Sequence, residues 1–401
     1  MFFEFDDYEL LKAKIKVVGV GGAGGNALNR MIEDNLMGVE FIAVNTDAQD
    51  LDNNLSEIKL QIGKALTKGL GAGAAVDIGK QASDEDHAII EQAISGADMV
   101  FITAGMGGGT GTGAAPNIAR IARNMGILTV GIVTRPFVFE GGHRAVRAET
   151  GIAELRKHCD TTLVIPNETL LRITDPKTGF AEALKLADSI LHQATKGISD
   201  LINVHGLMNL DFADVKTVML NMGEAIMGTG IGHGEERAIL AAQQAISSPL
   251  LQNCNINGAR GLLVNVTGDP TITLHEVNDA ASIINEEAGL DANVIFGAVI
   301  DTTLTDEFRV TVIATGFSHE ERNCAEDTRD ATVSLPSAAS RQQSMEAVPA
   351  VARLVRPLPD GDLTFDDGMA TDDEVPYSDD LEVPAILRSK VPLQSTGQQA
   401  L

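Results

Sequence analysis

Tryptophan is absent from the 401-residue chain and tyrosine occurs only twice. With aromatics at 4%, there is little from which to build a stacking platform for single-stranded nucleic acid. Positive charge is scarce too: 30 Lys and Arg face 56 Asp and Glu, a formal charge of −26. Most of such a surface would repel a phosphate backbone, which argues against nucleic acid as a partner. Cysteine occurs three times, as Cys159, Cys254 and Cys324. An odd number so widely spaced forms neither a metal-ligand pair nor a disulfide framework, as expected of a protein in a reducing cytosol. Nowhere do 18 apolar residues run together, so no membrane span is expected. The acidic opening from Met1 to Lys14 lacks the apolar run of a signal peptide. Two nucleotide signatures are missing as well: G-x-x-x-x-G-K-[ST] of P-loop NTPases and the H-R-D of kinases.

What is present is ample apolar material, 44% of residues, and 40 glycines distributed very unevenly. Only Gly361, Gly368 and Gly397 lie beyond residue 318, whereas seven of the 13 prolines do. From Pro357 to Leu387 there are ten Asp or Glu and no Lys or Arg. Such a stretch buries too little apolar surface to offset its ordering entropy, so 319–380 is expected to be a disordered acidic linker. Beyond it, Leu381-Glu-Val-Pro-Ala-Ile-Leu-Arg-Ser-Lys390 gathers apolar and basic residues. It reads either as chance variation in a tail or as a peptide that docks in a partner's groove.

The first 180 residues alternate short apolar runs with helical patterns, the mark of a parallel sheet wrapped by helices. Strands are expected at Ile15–Val20, Phe41–Val44, Met99–Thr103, Leu128–Val133 and Thr162–Ile165. A helix is expected from about Asn26, and a long one from Phe180 to Asn203. Helices near 212–221 and 235–246 follow, then strands at Gly261–Val266, Asn293–Ile300 and Phe308–Ala314. Thr273 and Glu276 have capping-box spacing and start a further helix. Residues 224–317 therefore read as an α+β unit.

Two glycine loops carry the chemistry. Gly19-Val-Gly-Gly-Ala-Gly24 fits G-x-G-x-x-G between a strand and a helix, where amides at a helix N-terminus meet an anion. Alone it suits a Rossmann dinucleotide fold, with Asp47 near the place of a ribose-binding acid, or a bare strand-to-helix turn. The second loop, Gly105-Met-Gly-Gly-Gly-Thr-Gly-Thr-Gly113, has five glycines in its last seven residues. That much chain entropy is spent only where backbone must wrap something. Two amide-lined loops suit a triphosphate better than a single pyrophosphate, and the cradle contains no lysine.

The segment Gly107–Gly113, GGGTGTG, resembles the signature loop of the tubulin/FtsZ family at every position. GVGGAGGN (19–26), VNTDAQDL (44–51), GLGAGA (69–74), TRPFVFEG (134–141), NLDFADV (209–215) and the tail motif 381–390 resemble FtsZ segments in the same order. By this resemblance the chain is identified as a member of the bacterial FtsZ family of cell-division GTPases, rather than a tubulin.

The resemblance implies an α/β fold. A Rossmann-like parallel-sheet GTP-binding domain would occupy 1–178, with a central helix and catalytic loop at 179–223 and an α+β C-terminal domain at 224–318. The acidic linker (319–380) and a docking peptide (381–401) would follow. Gly21, Gly22, Ala23, Gly24, Gly25 and Asn26 would form the first phosphate loop. Gly107, Gly108, Gly109, Thr110, Gly111 and Thr112 would form the main loop around the β- and γ-phosphates. Glu140 and Arg144 would hold the ribose side and Asn167 would lie beside the guanine. Asp188 would read the N1 and N2 hydrogens of that base; on spacing alone it is a solvated helix face. Asp211 and Asp214, on spacing alone the helix N-terminal acids that a macrodipole favours, would polarise the attacking water, with Asn209 orienting the nucleotide. They would act on the GTP of the next subunit in a head-to-tail filament. Mg2+ would accompany GTP or GDP. Leu381–Lys390 would reach membrane-tethering adaptors and assembly regulators at the mid-cell face of the cytoplasmic membrane. Leu184 stands where many relatives carry Phe against the base, and Ile386 replaces a usual Phe in the tail. Two other readings are an NAD(P)-dependent oxidoreductase, resting on Gly19–Gly24 and Asp47, and a non-hydrolysing scaffold, against which Asn209, Asp211 and Asp214 argue.

Overall fold

The computed structural model describes residues 13–317, apart from 173, 175, 176, 204–207, 209, 252–255, 257, 290 and 291. The linker and the docking peptide expected at 319–401 lie outside the described residues, as do Asn209 and the second and third cysteines.

The chain opens with β1 (Ile15–Val20), α1 (Gly21–Glu33), β2 (Val39–Asn45), α2 (Ala48–Asp52) and β3 (Ile58–Gln61). Three helices, α3 (Lys64–Thr67), α4 (Val76–Glu85) and α5 (His87–Ile94), lead to β4 (Met99–Gly105). Next come α6 (Thr110–Asn124), β5 (Leu128–Arg135), α7 (Gly142–His158), β6 (Thr161–Pro166) and α8 (Asn167–Leu170). The long α9 (Phe180–Asn203) and α10 (Phe212–Met219) precede β7 (Gly223–His233) and α11 (Arg237–Ile246). The described part closes with β8 (Gly261–Gly268), α12 (Leu274–Ala288), β9 (Asn293–Ile300) and β10 (Glu307–Thr315).

The ten strands of the described residues join one sheet, in the order β3-β2-β1-β4-β5-β6-β7-β10-β8-β9. It is parallel from β3 to β7, antiparallel through β10, and parallel again between β8 and β9. β1, β4 and β5 are buried along nearly their whole length, as parallel strands with helices on both faces must be. One face is covered by α1, α9 and α10, the other by α4 to α7. On α9, Ala187, Ile190, Leu191, Ala194, Ile198 and Leu201 form the apolar stripe, spaced as one helical face requires. The helix lies across β5, β8 and β9 and spans the short β6–β7 seam, where only Thr161–Leu163 pair with Gly223–Ala225.

Two features differ from the sequence expectation. First, α1 begins at Gly21 rather than near Asn26, so the first glycine loop is itself the opening turn of the helix. Second, β7 and β3 are absent from the expected strands. Gly228, Gly230 and Gly232 break the apolar alternation of β7, and the structure gives the reason. A Cβ at any of the three would collide with a backbone carbonyl of α11, at Ala245, Ala241 and Arg237 respectively. The strand gives up its side-chain pattern so that a helix can lie directly on it. The capping box at Thr273 forms as expected: the Glu276 N–H donates to Thr273 Oγ1 (3.2 Å) and the Thr273 N–H to Glu276 Oε2 (2.8 Å).

The C-terminal half is locked by one buried cation. Arg237, 5% exposed, donates to Glu276 Oε1 at 2.6 Å and lies 3.1 Å from Asp269 Oδ1, with Thr271 Oγ1 also at 3.1 Å. Replacing it would leave the buried Asp269 and the half-buried Glu276 without their cation. Arg237→Ala is therefore expected to cost about 3–5 kcal/mol of stability, measured by urea unfolding of the full chain. A loss near that of an exposed ion pair, ~1 kcal/mol or less, would show that the network is slack.

Candidate functional site

At the carboxyl edge of the parallel strands two helix N-termini meet. Neither is capped by a side chain: Val20 stands at the N-cap of α1 and Gly109 at that of α6. Each leaves first-turn N–H groups without intrahelical partners, and each adds the positive end of a helix dipole. They converge because glycines let them. Gly21, at φ +72°, sits so close to α6 that a Cβ there would lie 3.0 Å from Gly111 N. A Cβ at Gly111 would lie 2.9 Å from Gly105 O, and one at Gly24 would lie 2.5 Å from Thr103 O. Gly24 thus packs α1 onto β4, while Gly21, Gly22, Gly25 and Asn26 line a recess of about 340 Å3 beside β2. Ala23 abuts Gly105, where a Cβ would come within 2.6 Å of its methyl carbon.

The far wall of the recess comes from residues to which the sequence reading gave no role: Asn45, Asp50 and Asn54. Asn45 Nδ2 donates to Asp50 Oδ2 (3.1 Å), and Asn54 Nδ2 donates to the Gly25 carbonyl (2.9 Å). Asn45 and Asp50 lie within the VNTDAQDL segment, so the signal was visible although the roles were not. Asp47, the candidate ribose acid, instead caps α2, its Oδ1 accepting from the N–H of Gln49 at 2.9 Å.

The main loop is held from three sides. The Thr46 and Thr110 hydroxyls are hydrogen-bonded at 2.7 Å in a buried setting. The Gly107 N–H donates to Thr112 Oγ1 (2.8 Å), and Arg147 Nε donates to the Gly107 carbonyl (3.0 Å). A Cβ on Gly109 would come within 2.5 Å of Gly73 O, so the 69–74 segment rests on the loop. Gly108 alone faces open space, with nothing within 4 Å of where its Cβ would stand.

Of the remaining expected residues, Arg144 packs against the main loop, its Cγ 2.6 Å from where a Gly107 Cβ would stand. Glu140 and Arg144 hold each other, with Arg144 Nε 3.0 Å from Glu140 Oε2, while Glu140 Oε1 accepts from the Phe137 N–H (2.9 Å). Asn167 is buried at the end of β6, and its Oδ1 has no partner among the described residues. Asp188, on α9, does not line the recess. Burial pushes its carboxyl up to about 6, against the pull of the Arg30 cation on α1. Leu184, one turn earlier, is 40% exposed, an apolar surface beside it. One turn later His192 Nδ1 lies 3.2 Å from Asp34 Oδ2, and burial pushes its pKa down to about 4, so the contact is that of a neutral imidazole.

Asp211 and Asp214 are elsewhere. Asp211 stands at the N-cap of α10 without capping it, Asp214 lies in its first turn, and both are exposed. Their helix is anchored at its other end to the start of β6, where Thr161 Oγ1 donates to the Met219 carbonyl, and α9 reaches the same edge. The Asn203 side chain at its end donates to the Gly38 carbonyl (2.9 Å), just before the start of β2 and so at the edge of the sheet opposite the glycine loops. At 24 residues the helix is about 36 Å long. Within one subunit the acids and the uncapped helix ends are thus on opposite sides. A larger recess, about 580 Å3, lies between α9 and the sheet of β7, β8 and β10, with Lys196, Asp200, Asp301 and Arg309 in its walls. None of its wall residues belongs to a helix N-terminus, so the smaller recess is the better anion site.

Among the described residues no three His, Cys, Asp or Glu cluster as metal ligands, and no helix is long and apolar enough to cross a membrane. Residues 14–175 match the model of the tubulin/FtsZ family GTPase domain, and residues 223–318 that of the FtsZ family C-terminal domain. The FtsZ of M. jannaschii, solved as an empty dimer, is 45% identical, covering 78% of this chain and 93% of that one, with a TM-score of 0.74. CetZ1 from Haloferax volcanii, a GDP-bound monomer, shares the fold at 21% identity, covering 79% of this chain and all of its own, with a TM-score of 0.67. CetZ2 from the same organism, a GTPγS-bound protofilament, does so at 19% identity, 78% and 98% coverage, and a TM-score of 0.65. These likenesses displace the oxidoreductase reading of the first glycine loop. The chain belongs to the FtsZ family of tubulin/FtsZ GTPases.

Proposed function

We propose that this GTPase assembles head to tail and that each active site is completed by the next subunit. The observation that carries the reading is the placement of Asp211 and Asp214 at the sheet edge opposite the two uncapped helix ends, with the rigid α9 between them. Self-association is supported by the dimer of the M. jannaschii relative and by exposed apolar residues at both edges. Leu70, Val138 and Phe139 surround the glycine edge, and Met208 lies beside the acids. Such a heterologous contact does not close on itself and generates a filament.

In the mechanism, Gly21, Gly22, Ala23, Gly24, Gly25 and Asn26 bring the start of α1 to the phosphates, with Gly24 seating the helix on β4. Gly107, Gly108, Gly109, Thr110, Gly111 and Thr112 present the amides and dipole of α6 to the terminal phosphates. Asn167, with its free buried Oδ1, meets a donor of the nucleoside; Glu140 and Arg144 border the ribose side; Asp188 accepts from guanine. Asp211 and Asp214 of the following subunit hold the attacking water and take up its proton, while Asn209, outside the described residues, orients the nucleotide. The donor set suits Mg2+ carried by the nucleotide: Asp50, beside Gly22 and held by Asn45 Nδ2, would offer it one hard oxygen, the rest of the shell coming from phosphates and water. When bound, Mg2+ offsets charge on the phosphates.

We place the filament at the division site, on the inner face of the membrane at mid-cell, tethered through Leu381–Lys390 to adaptor and regulator proteins. The support is family membership together with the apolar-basic composition of that peptide after an acidic tract.

GTP turnover per subunit is expected to rise above a threshold protein concentration. Turnover strictly proportional to protein down to high dilution would sink the shared site. Asp214→Ala should retain GTP binding and lose about 100-fold or more in hydrolysis, giving longer-lived filaments in sedimentation; loss of binding itself would contradict action from the neighbour.

Guanine needs the ionised Asp188, whereas burial holds the free carboxyl near 6. Below its assembly threshold the protein should therefore lose roughly tenfold in GTP affinity between pH 7 and 5, and Asp188→Asn should flatten that profile. Without nucleotide the sign reverses. A carboxyl raised above its unfolded value costs stability at neutral pH, and that cost fades as pH falls through about 6 towards the ordinary aspartate value of 3.8. Finally, removing residues 381–401 should leave polymerisation and turnover intact and abolish binding to a purified membrane adaptor. Adaptor binding equal to that of the full chain would refute the assignment.

A further inference from the structure

Arg147 is not among the residues that the glycine motifs assign, yet it grips the main loop at its first residue. It lies on α7, and its Nε donates to the Gly107 carbonyl at 3.0 Å. Gly107 is at φ +106°, a conformation that favours glycine, and its N–H is held by Thr112 Oγ1 at 2.8 Å. The residue is therefore fixed on both sides. In a trans peptide the carbonyl and the following N–H point in opposite directions. With the Gly107 carbonyl turned towards α7, the Gly108 N–H is aimed away from that helix. Among the described residues this N–H has no acceptor, and the space around Gly108 is open.

The helix that carries Arg147 has no slack against the loop. A Cβ on Gly107 would lie 2.6 Å from Arg144 Cγ, and one on Gly151, a turn beyond Arg147, would collide with Thr112 Cγ2. Charge adds a second observation. Arg135 pairs with Glu149 and Arg144 with Glu140, but among the described residues Arg147 has no carboxylate partner. In a chain of net charge −26, an unpaired and half-buried guanidinium beside an open row of amides is a place for an anion.

We propose that Arg147 is a positioning residue of the GTPase: it holds the Gly107–Gly108 peptide so that the Gly108 amide is presented to the nucleotide phosphates. The inference rests on the placement of the phosphates at the two glycine loops. A charge-assisted hydrogen bond to a carbonyl fixes the direction of the next amide before the ligand arrives, so less ordering is left to binding.

The test compares full-length wild type with Arg147→Leu, Arg147→Lys and Arg147→Gln, below the assembly threshold. Affinity for GDP and for a non-hydrolysable GTP analogue is measured alongside the thermal midpoint of the nucleotide-free protein. The Leu variant keeps part of the stem and no donor, and is expected to bind both nucleotides roughly tenfold more weakly at an unchanged midpoint. Lys, with charge and donor, should restore most of the affinity, and Gln less. Wild-type affinity in the Leu variant would overturn the proposal, as would a loss that follows a lowered midpoint and is not rescued by Lys. Should the Leu variant fail to fold, the Lys and Gln variants decide, and equal affinity in those two would overturn it. If the wild type itself bound neither nucleotide, the phosphate site would fall and this inference with it. Normal wild-type binding with indifferent variants would remove Arg147 alone.

Discussion

Two helices that start without caps must be brought nose to nose, and the organisation of the N-terminal half follows from that close approach. A Cβ at Gly21 would stand 3.0 Å from Gly111 N, and one at Gly111 would stand 2.9 Å from Gly105 O. No side chain fits between α1, α6 and the ends of β1 and β4. First-turn amides left open in this way are costly in isolation. The surrounding structure holds them in place through Thr46 on Thr110, Thr112 and Arg147 on Gly107, and the 69–74 segment on Gly109. The concentration of glycine at 19–25 and 105–113 is thus a packing requirement first, and the anion-binding character comes with it.

The second constraint is a length. α9 reaches from Phe180 to Asn203, buries an apolar stripe across the sheet and ends against the residue before β2. A helix buried along one face holds its ends apart, so the distance between Asp188 and Asn203 is set by residue count. The same helix lies over the β6–β7 seam, where only three residue pairs join the parallel strands to the C-terminal ones. Its half-buried Asp188 and buried His192 and Asp200 sit in settings that disfavour charge.

Stability and function draw on different charges. Arg237, with Asp269 and Glu276, ties the start of α11 to the loop after β8 and to α12, and its partners leave it no further ligand. Arg147 is its opposite: among the described residues it makes one bond, to a carbonyl, and meets no carboxylate, with an open row of amides nearby. A buried cation with all its partners is a structural part, whereas one without a counter-ion marks a place where an anion completes the site.

The parallel half of the fold was legible because doubly covered strands must be apolar along their length, as β1, β4 and β5 are, and because α9 repeats its apolar residues at helical spacing from Ala187 to Leu201. The two glycine loops were legible as well, since nothing but close backbone approach accounts for so much glycine. β7 was hidden: its alternate residues are glycines whose missing side chains make room for α11, a relation that exists only once the helix has docked. The true start of α1 at Gly21 was hidden for a similar reason, because glycine is a poor helix former and only packing on β4 holds that turn helical. Asn45, Asp50, Asn54 and Arg147 lie far along the chain from the first glycine loop, and sequence spacing says nothing of which of them return to it. Composition and local pattern determined the class of fold and the two amide-rich loops. The tertiary structure decided which side chains face those loops, and it put Asp211 and Asp214 at the far edge, because a rigid buried helix sets distance in a way that no local motif encodes.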